Sequence, residues 1–163
     1  MILGMSTQVF TLLHVILSLA GIAAGLIAIL ALANNKLSGL TGFFLSTTAL
    51  TSITGFLFPF HGVTPAIILG ILSMIVLLLA AIALYVCKLS GGWRKVYVIS
   101  ATIALWFNVF VLFAQLFAKV PALKAIAPTQ SSRVFGATQL VVLVAFIVLA
   151  IRSIRGFHGS SLS

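Results

Sequence analysis

Residues 8–33 read QVFTLLHVILSLAGIAAGLIAILALA, and this stretch decides the fold. It is uncharged and longer than the about 20 apolar residues a helix needs to cross the hydrocarbon core of a bilayer. Polar Asn34-Asn35-Lys36 closes it. Along it, beginning one residue earlier, Thr7, Thr11, His14, Ser18, Gly21, Gly25 and Ala28 recur at spacings of three and four. That spacing predicts a helix with these residues on one face. Gly21 and Gly25 form a GxxxG pair, which admits a second helix closely. In lipid, small residues and hydrogen bonds rather than hydrophobicity drive helix association, so this face, with His14, is expected to point into a bundle. Ala31-Leu32-Ala33 resembles a signal-peptidase site. The apolar run is too long for a signal peptide and no Lys or Arg precedes it, so a retained helix is expected.

Four more apolar stretches follow, at 40–60, 65–86, 96–118 and 135–151. They are bounded by Lys88 with Gly91-Gly92, by Arg94-Lys95, by Lys119, and by Arg152 with Arg155. The expected fold is all-α: a polytopic membrane bundle of five transmembrane helices, with residues 1–163 as a single transmembrane domain. Composition agrees. The chain is 63% hydrophobic and 6% charged, with nine Lys and Arg and no Asp or Glu, whereas soluble domains carry about 25% charged residues. Without side-chain carboxylates there is no Asp/Glu proton relay, no carboxylate acid–base pair, no carboxylate-ligated Mg²⁺ or Ca²⁺ and no Ser-His-Asp triad. Catalysis is therefore not expected. The net charge of +9 calls for anionic lipid headgroups, an acidic membrane-protein partner or solvent ions. Cys87, the single cysteine, has no partner for an internal disulfide, and no Cys/His spacing matches a zinc site. The cations are scattered near segment ends, which argues against nucleic-acid binding.

With five spans, Lys36, Lys88, Arg94, Lys95, Arg152 and Arg155 fall on one side, and Lys119, Lys124 and Arg133 on the other. The positive-inside rule makes the first side cytoplasmic, with the N-terminus outside and the C-terminus inside. Trp93 and Tyr97 read as an interfacial anchor at the cytoplasmic end of the fourth helix. The connection 119–134, with Pro121 and Pro128, lies outside, and the tail 159–163 reads as disordered.

The remaining polar residues gather in the outer half. The second helix has a Ser/Thr face of Thr47, Thr48, Thr51, Ser52 and Thr54, and the Thr47-Thr51-Thr54 line continues through Phe58 to His61. Pro59 removes a hydrogen bond to the carbonyl of Gly55 and should kink that end. Asn108, Gln115 and Lys119 share a face of the fourth helix, and Gln139 lies near the outer end of the fifth. His14 is two turns, about 10 Å, inside the outer end of its helix. These groups would enclose a polar, ligand-sized chamber, with candidate ligand-binding residues His14, His61, Thr51, Thr54, Asn108, Gln115, Lys119 and Gln139. Each also has a plainer reading. Serines and threonines bond back to their own helix, Asn108 and Gln115 join helices, Lys119 and Lys124 mark the interface, and His158 is a solvated tail residue.

The run Thr51-Ser52-Ile53-Thr54-Gly55-Phe56-Leu57-Phe58-Pro59-Phe60-His61, together with Val120-Pro121-Ala122-Leu123 and Ala127-Pro128-Thr129-Gln130-Ser131, resembles a group of small bacterial inner-membrane proteins with no established activity. The resemblance extends over most of the chain and implies a multi-pass protein of the bacterial inner membrane, and nothing catalytic. Where that group often has an acidic residue after Thr-Gln-Ser, this chain has Ser132 and Arg133.

Three functions compete at this level. The first is an accessory or assembly subunit of a larger membrane complex, suggested by the missing catalytic constellation, the unbalanced charge and the small size. The second is a redox or ligand-binding module in which His14 and His61 ligate haem b, or His14 meets a quinone carbonyl. Its weakness is that His61 sits at the helix boundary. The third is a small-solute transporter or channel along the Ser/Thr face, opposed by the absence of inverted repeats and of intramembrane charge. The first is the favoured expectation.

Overall fold

The computed structural model describes residues 1–59 and 65–158. His61 and the tail 159–163 lie outside the described residues. The chain is an all-helical bundle: α1 (Thr7–Ala33), α2 (Thr41–Phe56), α3 (Pro65–Val86), α4 (Trp93–Lys119), the short α5 (Pro121–Ile126) and α6 (Arg133–Gly156). Among the described residues, four helices, α1, α3, α4 and α6, are long and apolar enough to cross a membrane. α2 has 16 residues.

The ends of these helices have local causes. Ser6 caps α1, its Oγ accepting from the Val9 N–H at 3.3 Å. α2 stops at Phe56 rather than running to residue 60 with a kink. Pro59 has no N–H to continue the ladder, and a residue preceding proline is pushed out of the α region. The last turn of α3 widens into a π turn at Ile82–Val86, where the Cys87 N–H reaches the Ile82 carbonyl at 2.9 Å. α4 begins at Trp93, before the expected residue 96. α6 spans Arg133–Gly156 instead of 135–151, carrying Arg152 and Arg155 inside the helix. Cations in a last turn favour the negative end of the helix dipole, so these arginines prolong α6 where apolar content alone would end it.

Packing places α4 at the centre, in contact with α1, α2, α3 and α6. In its most apolar stretch 56% of residues are buried, against 17% in α6. α1 and α2 run antiparallel: Gly25 lies against the Phe44 ring, Gly21 against the Thr47 side chain, and His14 against Thr54. α2 likewise opposes α3, with Phe56 on Gly70. α1 and α6 run in the same direction and join at their C-terminal ends. The Ser153 hydroxyl donates to the Ile29 carbonyl at 3.0 Å, Gly156 lies directly on the Ala33 backbone, and the His158 N–H donates to Asn35 Oδ1 at 2.9 Å. The bundle therefore has one end with Lys36, Lys88, Arg94, Lys95, Arg152 and Arg155, hereafter the basic end, and an opposite end with Lys119, Lys124 and Arg133.

The core (Ile29, Leu32, Phe44, Val98, Ala101, Ala104 and Leu105 among its fully buried members) fills the middle and the basic half. Tyr97 belongs to it. Its side chain is 0% exposed, so this half of the expected interfacial anchor is a core residue, and of the pair only Trp93 is exposed. The reason is α4's central place, since one turn into a surrounded helix is already interior. The Tyr97 hydroxyl lies beside the Thr41 side chain, yet neither hydroxyl reaches a hydrogen-bond partner. An unpaired buried hydroxyl costs about 1–3 kcal/mol. Tyr97→Phe is therefore expected to leave the protein as stable as before or about 1 kcal/mol more stable, read as the midpoint of a dodecyl sulfate unfolding titration. A clear loss would mean that the hydroxyl is engaged.

Candidate functional site

His14 is half-buried where α1 meets the C-terminal end of α2. Its Nδ1 lies 2.8 Å from Thr54 Oγ1. Thr54 Oγ1 also lies 2.7 Å from the Leu50 carbonyl and 3.1 Å from that of Thr51. A carbonyl only accepts, so the single hydroxyl hydrogen of Thr54 goes to its own helix and its oxygen accepts from His14 Nδ1–H. This assigns the Nδ1–H tautomer and leaves Nε2 with a lone pair that none of the described residues engages. The edge of Phe58 closes one side of the imidazole, with ring centroids 5.3 Å apart at 85°, and Phe10 packs behind Phe58 at 5.1 Å. Gly55 borders the ring, where a Cβ would make an ordinary van der Waals contact with His14 Cε1 at 3.6 Å. The Lys119 ammonium is near enough to act electrostatically on the ring.

The other expected site residues divide. Thr51 is buried, and its hydroxyl donates to the Thr47 carbonyl of its own helix at 2.8 Å. Asn108 is buried and its Nδ2 donates weakly to Thr48 Oγ1 at 3.4 Å, joining α4 to α2. Gln139 is buried too. Its Nε2 donates to the Phe110 carbonyl at 3.1 Å, joining α6 to α4, while its Oε1 has no partner. Gln115 and Lys119 are exposed. The structure thus brings His14 together with Thr54, and Lys119 within electrostatic range. Asn108 and Gln139 each serve a different helix pair.

Phe10, Thr48, Phe58 and Phe110 complete these contacts and are not among the expected site residues. Phe10 is findable from sequence, since it precedes His14 by one helical turn. The Phe110 carbonyl carries no sequence signal at all. Another unpartnered buried polar atom, Trp106 Nε1, lies on the same helix as Phe110.

Two cavities lie elsewhere. One, of about 310 Å³, is an apolar groove between α2 and α3, bordered by Leu45, Ala49, Met74, Leu77 and Tyr85. The other, of about 220 Å³, opens at the basic end between α4 and α6. What the polar interior does chemically is limited. It holds helices together, and at His14 it offers one lone pair beside an aromatic wall. Comparison with known protein families, with curated proteins and with solved structures finds no match for this chain.

Proposed function

We propose that this chain is a five-span protein of the bacterial inner membrane, N-terminus outside and C-terminus cytoplasmic, that acts as an accessory or assembly subunit of a larger membrane complex. The observation that carries this reading is the use of its interior polar groups. His14, Asn108, Gln139 and Ser153 each hydrogen-bond a neighbouring helix of the same chain. Such bonds average roughly 0.6 kcal/mol in membrane bundles and act as glue. The outward faces of α3 and α6 are rows of exposed aliphatic residues, among them Ile68, Ile71, Ile75, Val141, Val144 and Val148, suited to lipid or to other helices. As for the fifth span, α2 covers about 24 Å and lies antiparallel along α1 from Phe44 to Thr54. That is how a crossing helix would lie.

The reading predicts that the chain, isolated in digitonin, migrates in one complex of constant composition. Lys119→Glu with Lys124→Glu at the opposite end should release it as a lone species, because an acidic partner would then face like charge. Wild-type protein that is repeatedly recovered alone and well behaved would contradict it.

A second reading rests on the Nε2 lone pair of His14: a ligand site for haem b or a quinone carbonyl beside Thr54, with Lys119 toward an acidic or polar group of the ligand. An imidazole whose Nδ1–H is fixed by a hydrogen bond is oriented to ligate through its other nitrogen. On this reading, oxidised and dithionite-reduced absorbance spectra show a Soret band that His14→Ala abolishes. A featureless visible spectrum would remove haem and leave the accessory role in front.

A further inference from the structure

The cavity at the basic end is lined by Gly91, Arg94, Lys95 and Val98 at the start of α4, and by Ile154, Phe157 and His158 at the end of α6. Arg94 is half-buried there and Lys95 is exposed. Among the described residues neither side chain has a hydrogen-bond or ion-pair partner. No side chain in the protein can supply a carboxylate, because the sequence contains no Asp or Glu. Two cations border one hollow, one of them partly desolvated, so an anion held between them would relieve their repulsion.

The surroundings favour an anion with several oxygens. α4 is 27 residues long and points its positive end at the cavity, although the Trp93 and Lys95 N–H groups of its first turn already donate to the Ser90 and Gly92 carbonyls. Two of the carbonyls at the α6 end are already engaged, that of Ser153 by the Phe157 N–H and that of Gly156 by His158 Nδ1–H. His158 is held in place by its own N–H on Asn35 Oδ1. The volume of about 220 Å³ holds several times the roughly 30 Å³ of one water. Trp93, the first residue of α4, is exposed at the same end of the bundle, as suits a tryptophan at headgroup level.

We propose that this cavity is a phosphate-binding site, with Arg94 as the bidentate donor, Lys95 as the second charge and His158 as the wall on α6. The same chemistry serves an anionic phospholipid headgroup or a free phosphate, and the arms of the test separate them. It does not depend on the role proposed for the whole protein.

The full-length protein is purified in a neutral maltoside detergent. Adducts with phosphatidylglycerol, with phosphatidylcholine and with inorganic phosphate are then measured by native mass spectrometry. Wild-type protein should prefer phosphatidylglycerol, and Arg94→Gln with Lys95→Gln should weaken that binding about tenfold or more, as expected for losing a bidentate charge-assisted contact. Lys124→Gln at the opposite end should leave it unchanged. Arg94→Lys should fall between, keeping the charge without the planar fork. Loss confined to phosphatidylglycerol assigns the site to lipid, and parallel loss of inorganic phosphate assigns it to the phosphate group itself. Adduct levels equal in wild type and the double variant, or lowered as much by Lys124→Gln, would overturn the proposal.

Discussion

Gly25→Leu is expected to destabilise the bundle by about 3 kcal/mol, the upper part of the overpacking range, in a dodecyl sulfate titration. A Cβ at position 25 would meet Leu105 Cδ1 and two atoms of the Phe44 ring, each at 2.7 Å. Real Cβ contacts are essentially never so short. Both neighbours are themselves 0% exposed, so neither has space to rotate away. Helix propensity works in the opposite direction, since replacing a mid-helix glycine gains up to about 1 kcal/mol. Packing must exceed that gain for the sign to hold. Gly136→Leu in α6 is the control, because nothing lies within 4 Å of a Cβ there, and it should be neutral or slightly stabilising. If Gly25→Leu unfolded at the same midpoint as wild type, α1, α2 and α4 would not meet as described.

Gly156→Val should loosen the far end of α6 while leaving the centre of the bundle in place. Here the obstacle is the carbonyl and Cα of Ala33. These are backbone atoms of α1, and no rotamer change relieves the clash. The substitution should also separate the Ser153 hydroxyl from the Ile29 carbonyl and the His158 N–H from Asn35, and expose Phe157. We expect a loss of about 2 kcal/mol. Amide exchange should rise in the last two turns of α6 and hardly change in α4. Uniformly faster exchange throughout the chain would contradict a local joint.

The helices are legible in the sequence because their cause is local. An apolar run longer than a bilayer is thick needs no tertiary information, and 8–33 and 65–86 match α1 and α3 to within a residue. α2 and α6 depart from expectation where chemistry beyond hydropathy intervenes. The apolar side chains of Leu57 and Phe58 do not prolong α2, because Pro59 ends the ladder just beyond them. Arg152 and Arg155 read as a boundary, though they sit comfortably in the last turns of α6. The GxxxG pair does pack closely, and both residues meet α2: Gly21 touches α2 alone, and Gly25 touches both α2 and α4.

Periodicity puts His14 and Thr54 on inward faces without pairing them. Pairing needs the register between α1 and α2, which two separate stripes do not encode. The shared face of Asn108 and Gln115 is real in angle, yet Asn108 is buried and Gln115 exposed, since α4 passes from the centre of the bundle toward its margin over those two turns. Tyr97 departs from expectation for a related reason. An aromatic residue one turn from a span's end is an anchor on a peripheral helix and core on a central one, and only contacts distinguish the two.

The joint between α1 and α6 has a consequence for biosynthesis. Ile29 and Ser153 are 124 positions apart in the chain, so α1 finds this neighbour only after α6 has been made. Until then α1 presents its Ile29–Ala33 flank to lipid or to whatever insertase accompanies it. α6 then closes the bundle like a clasp, and a nascent chain stalled before Arg133 would present an unclosed bundle to quality-control proteases.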